Sequence, residues 1–194
     1  AQDSFGRTTS NGWGSAAVGG AWAVTGATSR YAVGSGAGQQ TLTAVGTTSY
    51  AALTSVSSTS TELRGTLAWS RTGSAGSLYS YVVARRVDAN NDYRCKVVVN
   101  AAGAMQLNLV RRVSGTEATM TSLTVPGLTQ VANQAYAFAC RVMPSGASTQ
   151  VTGKLWRAGT TEPTSWQVTA TDGTAGLQGA GSVGVSTYLS SGAT

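Results

Sequence analysis

The sequence predicts an all-β chain folded as a two-sheet antiparallel β-sandwich, and three observations lead to that expectation. Hydrophobic residues, 41% of the 194-residue chain, come as short runs rich in Val, Tyr, Leu and Trp. Gly, Ser, Thr and Asn break those runs at short intervals, the punctuation of many strands joined by tight turns. No segment keeps the apolar period of a surface helix, and no repeat of fixed spacing is visible.

Four runs carry the clearest strand signal. Residues 61–71 place Leu63, Leu67 and Trp69 on one face and Glu62, Arg64 and Ser70 on the other. In residues 92–100, Tyr93, Cys95, Val97 and Val99 oppose Arg94, Lys96 and Val98, and in residues 104–113, Met105, Leu107 and Leu109 oppose Gln106, Asn108 and Val110. Residues 134–143 set Tyr136, Phe138, Cys140 and Val142 against Arg141 and a run of Ala. This is the period of half-buried strands. Weaker runs lie near residues 20–25, 30–34, 40–45, 48–54, 78–87, 119–125, 149–157 and 182–189, giving about a dozen strands in all. Turn signals at Asp88 to Asp92, Asn100 to Gly103, Ser114-Gly115 and Pro144 to Gly146 separate them and imply consecutive antiparallel pairs. Two sheets face to face bury one side of every such strand.

Length fits a single domain spanning residues 1–194 with a substantial core. Only 10% of residues are charged, in no like-charge block, so polarity comes from Ser, Thr and Gly, as on strand-rich proteins of cell exteriors and particle surfaces. No apolar stretch reaches the roughly 18 to 20 residues of a membrane-spanning helix. The chain opens at Ala1-Gln2-Asp3 without a basic and apolar leader, which fits either a cleaved signal peptide or a virion protein released by lysis.

The segments Asp3 to Thr8, Gly12 to Ser15 and Gly19 to Trp22 resemble the start of a concanavalin A-like (LamG/jelly-roll) module of secreted actinobacterial proteins and actinobacteriophage minor tail proteins. The likeness continues through Asp92-Tyr93-Arg94, Leu107 to Arg111, Lys154-Leu155-Trp156, Gly159 to Pro163 with Trp166, and Gly181 to Leu189. It implies a concanavalin A-like jelly roll, a fold that carries lectins, glycanases and adhesion domains alike. Such modules close with a further strand ending in an acidic residue. Ending at Thr194, this chain is expected to lack that strand or to take it from a neighbour, leaving an open sheet edge able to pair with another chain. The fold also implies a structural calcium near its termini, which makes Asp3 a candidate ligand.

Histidine is absent, which removes Ser-His-Asp and Cys-His catalysis and the commonest zinc ligand. The seven carboxylates are Asp3, Glu62, Asp88, Asp92, Glu117, Glu162 and Asp172. A retaining glycosidase needs two of them about 5 to 5.5 Å apart, and no strand here holds an acid pair at alternating spacing. Asp88, Asn90 and Asp92 copy the first ligands of a calcium loop, but Tyr93 and Val99 stand where such a loop needs Gly and Glu. The competing reading is a polar hairpin whose side chains cap their own backbone. Cys95 and Cys140 lie on apolar faces, consistent with two buried thiols or with one disulfide.

Residues 85–157 hold nine of the thirteen cations: Arg85, Arg86, Arg94, Lys96, Arg111, Arg112, Arg141, Lys154 and Arg157. Against three acids, this segment carries the whole net charge of +6. Arg94, Lys96, Arg141 and Lys154 are expected to form one basic face for an acidic glycan, with Trp156 and Trp166 as stacking platforms. The competing reading is a solvated outer face. No nucleic-acid-binding motif appears. The expectation is a non-catalytic surface module, of a phage virion (tail or capsid-associated) or a secreted actinobacterial protein. It acts in attachment to a cell-surface or acidic glycan, or in particle architecture through other virion proteins. No cofactor beyond a structural calcium ion is expected. The alternative is a glycan-cleaving enzyme of the concanavalin A-like glucanase class.

Overall fold

A computed structural model describes residues 1–73 and 76–192. Its strands are β1 (Thr9–Ser10), β2 (Ala23–Thr25), β3 (Tyr31–Gly34), β4 (Ala37–Gln40), β5 (Thr48–Ser58), β6 (Thr61–Leu67) and β7 (Leu78–Arg86). They continue as β8 (Asp92–Val99), β9 (Ala104–Val113), β10 (Thr116–Thr129), β11 (Tyr136–Ser145), β12 (Ser148–Arg157), β13 (Val168–Asp172) and β14 (Gly181–Leu189). Helix is limited to two single 3-10 turns, Thr28–Arg30 and Ala175–Leu177, so no helix of the described residues is long and apolar enough to cross a membrane. The strands form antiparallel sheets in the orders β10-β9-β8-β7-β14-β5-β2, β13-β12-β11-β6 and β1-β3-β4.

Register shows how these sheets stack. Cys95, Val82, Val185 and Ala51 are successive cross-strand partners on β8, β7, β14 and β5, so their side chains point to one face of the seven-stranded sheet. At one end of this row Cys95 is bonded to Cys140 of β11, and at the other Ala51 packs with Trp13 and Tyr31 from the N-terminal strands. The four-stranded and three-stranded sheets therefore share one face of the large sheet. The result is an all-β sandwich whose second layer is split in two.

The turn residues named from sequence close the expected hairpins. Asn100 Oδ1 accepts the amides of Ala102 and Ala104 between β8 and β9. Ser114 and Gly115 both take positive φ, the conformation that a two-residue hairpin between β9 and β10 requires. Four spans differ from expectation. The 40–45 run gives no strand beyond Gln40; β6 stops at Leu67, although Trp69 stays buried and donates to Ser80 Oγ at 3.1 Å; and neither β1 nor β13 was foreseen. The last described strand, β14, lies inside the large sheet, paired with β5 and β7, and the edge strands of that sheet are β10 and β2.

Both layers bury one side of every central strand, with Val97, Val99, Met105 and Leu109 facing Tyr136, Val142, Val151 and Leu155. Of the two readings open for the cysteines, the structure selects the disulfide, with Cα atoms 6.0 Å apart. Gly153 makes room for it, since a Cβ there would stand 3.3 Å from Cys95 Sγ and 3.2 Å from Leu107. A second aromatic cluster of Phe5, Trp13, Trp22 and Tyr31 holds the N-terminal segment.

Asp3, the candidate calcium ligand, has its carboxylate oxygens engaged within that cluster. Its oxygens accept from Arg7 Nη1 at 2.7 Å and Nη2 at 2.9 Å, from Phe5 N at 3.0 Å and from Trp22 Nε1 at 2.7 Å. A guanidinium supplies the positive charge that an ion would have brought. The Arg7 hydrogen bonds hold the Asp3 carboxyl at about 2 although burial works the other way.

Two outcomes are expected. Replacing both Cys95 and Cys140 by Ala should lower the unfolding free energy by about 4 kcal/mol, the loop-closure value for a separation of 45 residues, as read by urea denaturation. Asp3→Asn should cost about 1 to 2 kcal/mol at pH 7. Because the folded pKa lies below the ordinary 3.8, this contribution is complete above pH 3.8 and fades as pH falls towards 2, where mutant and parent should converge.

Candidate functional site

The opposite face of the seven-stranded sheet is covered by neither smaller sheet. Tyr50, Ser186, Tyr81, Lys96 and Asn108 form one cross-strand row on it, and Tyr188 and Tyr79 begin the next. Beyond them lie Arg94, Arg86, Asp92 and Arg112, with Glu117 reaching in from β10. The side chains enclose a cleft of about 350 Å³ lined by Tyr50, Tyr81, Arg86, Asp92, Arg94, Arg112, Glu117, Ser186 and Tyr188.

Most charges in the cleft are mutually satisfied. Arg94 holds buried Asp92 with Nε at 2.5 Å and also with Nη2, while its Nη1 meets Glu117 at 3.0 Å. Burial alone would lower the Arg94 pKa, but Asp92 and Glu117 outweigh it and raise it. Lys96 takes the other Glu117 oxygen at 2.9 Å, and Arg112 donates to the carbonyl of Ala89 at 2.6 Å. Arg94 lies 5.0 Å over the Tyr81 ring, and Lys96 lies 5.1 Å from that of Tyr79. Burial raises the Tyr81 pKa, so its hydroxyl stays protonated at neutral pH.

A β-bulge decides which arginine reaches this cleft. Val83 pairs with Arg94, but Tyr93 pairs with Arg85, so Ala84 is the extra residue on β7. Ala84 and Arg85 thus both face the core, and Arg86 returns to the outer face. Arg85 is buried against Tyr93, donating to the Thr59 and Leu177 carbonyls at 2.8 Å each and to Thr149 Oγ1. Burial lowers its pKa.

The expected single basic face does not exist. Cys95 and Cys140 point at each other, so Arg94 and Lys96 stand on the outer face of one layer, while Arg141 and Lys154 stand on the outer face of the other. There Arg141 and Lys154 lie 4.5 Å and 5.0 Å from the Trp166 ring, and Lys154 meets Glu162 at 2.9 Å, itself held by Arg64 at 2.8 Å. Trp166 is thereby engaged by the chain's own cations. Trp156 shares that outer face with Lys154, two residues further along β12, and borders a groove of about 560 Å³ with Val125, Leu128, Val131 and Pro163, whose cation Arg157 donates to Gln134. The six proposed ligand-binding residues fall on two opposite faces.

The calcium loop is not assembled. Asp88 Oδ1 accepts from the Asn90 amide at 2.7 Å and Oδ2 from Asn91 Nδ2 at 2.8 Å, the self-capped turn that was the competing reading. Those bonds lower its pKa. Asp92 points away to Arg94, and among the described residues no group of three or more acidic or Cys side chains is placed to hold a metal. Asp172, the remaining buried carboxylate, accepts from Tyr93 Oη at 2.6 Å and pairs with Arg111; these bonds offset its burial and lower its pKa.

Sequence reading missed Tyr50, Tyr79, Tyr81, Tyr188 and Arg86. The Tyr79-Ser80-Tyr81 spacing is a same-face signal in the 78–87 run, but that run is apolar on both sides and does not say which face is open. Arg86 is unreadable without the bulge. No protein-family model matches the sequence, and no curated protein matches it.

Arg94→Ala should act first on stability, because it removes the closest partner of the buried Asp92 carboxylate and leaves only Arg112 at 4.0 Å. A loss of about 3 kcal/mol in chemical denaturation is expected, against less than about 1 kcal/mol for Lys96→Ala, which loses only the more exposed pair with Glu117.

Proposed function

We propose that the chain is a non-catalytic surface module of a virion or secreted protein, and that it attaches to glycan through the tyrosine-lined outer face of its seven-stranded sheet. The observation that carries this reading is the row of Tyr rings beside arginines on a sheet face that no other layer covers. Tyr188, over whose ring no cation of the described residues lies, offers a flat apolar body for a sugar ring and a hydroxyl for its polar groups, with Tyr79 packed beside it. The cleft is of the size that small ligands occupy.

Its carboxylates argue for binding over cleavage. Asp92 and Glu117 are both bonded to Arg94, and a glycosidase acid needs a raised pKa in surroundings that disfavour its charge. The inter-sheet disulfide favours an oxidising location outside the cytosol. A second reading, particle architecture, draws on β10, a strand of 14 residues with one open side and Glu117 as its single charge.

Binding of the chain to purified actinobacterial cell wall, measured at two ionic strengths, tests the first reading. Tyr79→Ala with Tyr188→Ala should weaken binding about tenfold, the equivalent of about 1.4 kcal/mol. Raising the salt should weaken it only a few-fold, because Arg94 and Lys96 are neutralised internally. Absence of wall binding at both salts, with light scattering showing self-association that Thr121→Pro on β10 abolishes, would replace attachment by architecture.

A further inference from the structure

Within the cleft, Arg86 is set apart from the other cations. Arg94 and Lys96 are bonded to carboxylates and Arg112 to backbone carbonyls, whereas among the described residues Arg86 has no carboxylate within ion-pair distance. Its guanidinium lies 4.6 Å over the Tyr50 ring. The Tyr50 hydroxyl is buried beside this guanidinium and finds no acceptor for its own proton. Gly184 forms the floor: a Cβ there would stand 2.7 Å from that oxygen. An orphaned buried donor is costly, and its persistence beside an uncommitted cation in a cleft marks a place built for an acceptor.

We propose that this corner of the cleft selects a sugar bearing a carboxylate, which is held by the guanidinium fork of Arg86 and by the Tyr50 hydroxyl. The inference rests on the glycan-attachment reading and specifies its ligand. A planar monoanion matches the fork, which can donate two parallel hydrogen bonds. The nearby Asp92 and Glu117 weigh against a more highly charged group. Arg86 covers the hydroxyl in the free protein, so binding requires the arginine to pivot from the Tyr50 ring onto the ligand. Burial pushes the Tyr50 pKa up to about 12, which keeps the hydroxyl a donor at neutral pH.

Calorimetric titration of the chain with oligogalacturonate and oligomannuronate, each as free acid and as methyl ester, tests the assignment; a glycerol phosphate polymer and purified cell wall complete the series. A free acid should bind at least tenfold tighter than its ester. Arg86→Gln should bring acid and ester binding to the same level, with Arg86→Lys falling between. Tyr50→Phe should weaken acid binding about threefold to tenfold while changing Tm little, since the hydroxyl removed has no acceptor in the free protein. Equal binding of acid and ester, tighter binding of the phosphate polymer, or an Arg86→Gln protein that binds acid normally would overturn the carboxylate assignment. Failure of every uronide while cell wall still binds would overturn it and leave attachment standing. Loss of wall binding as well would overturn both.

Discussion

The Cys95–Cys140 bond joins the two layers at the centre of the sandwich, and the direction of nearly every functional side chain follows from it. In a strand, neighbours alternate between faces, so once Cys95 and Cys140 are pinned towards each other, Arg94 and Lys96 must leave through one outer surface. Arg141 must leave through the other. The same bond needs a third strand to yield space, and Gly153 of β12, the cross-strand partner of Cys140, does so. One covalent contact thus fixes the facing of β8 and β11 and separates the cations into two independent surfaces.

On both surfaces the charges are mostly consumed by the fold. Asp92 and Glu117 neutralise Arg94 and Lys96 on one side; Glu162 joins Arg64 to Lys154 on the other, and Arg141 rests on Trp166. A net charge of +6 therefore overstates what a ligand would meet. The networks hold long side chains in place over strands that have few other polar anchors. Arg94 in particular acts through Asp92, because a buried carboxylate without its guanidinium would be destabilising.

What distinguishes the large sheet is a local irregularity beside the cleft. The bulge at Ala84 gives β7 two inward residues in succession, sending Arg85 into the core beside Tyr93 and Arg86 out beside Tyr50. Gly184 on the adjacent strand leaves the space that the Tyr50 hydroxyl requires. A continuous alternation would have put Arg86 inside and Arg85 outside.

The sequence by itself determined the strand composition of this protein, the hairpin turns and the inward faces of β8, β9 and β11, because these depend on alternation and turn chemistry within a few residues of one another. Tyr93, Cys95, Val97 and Val99 are buried as their spacing requires, and the Asp88 turn caps itself as its side chains allow. The tertiary structure alone decided which outer face each cation joins, that the second layer is two sheets, that β14 lies between β5 and β7, and that Arg86 and Tyr50 meet. Those outcomes depend on the pairing of strands far apart in the chain and on a one-residue bulge. A one-residue change of register reverses every side chain beyond it, and no local pattern in Val83-Ala84-Arg85-Arg86 records where that reversal falls.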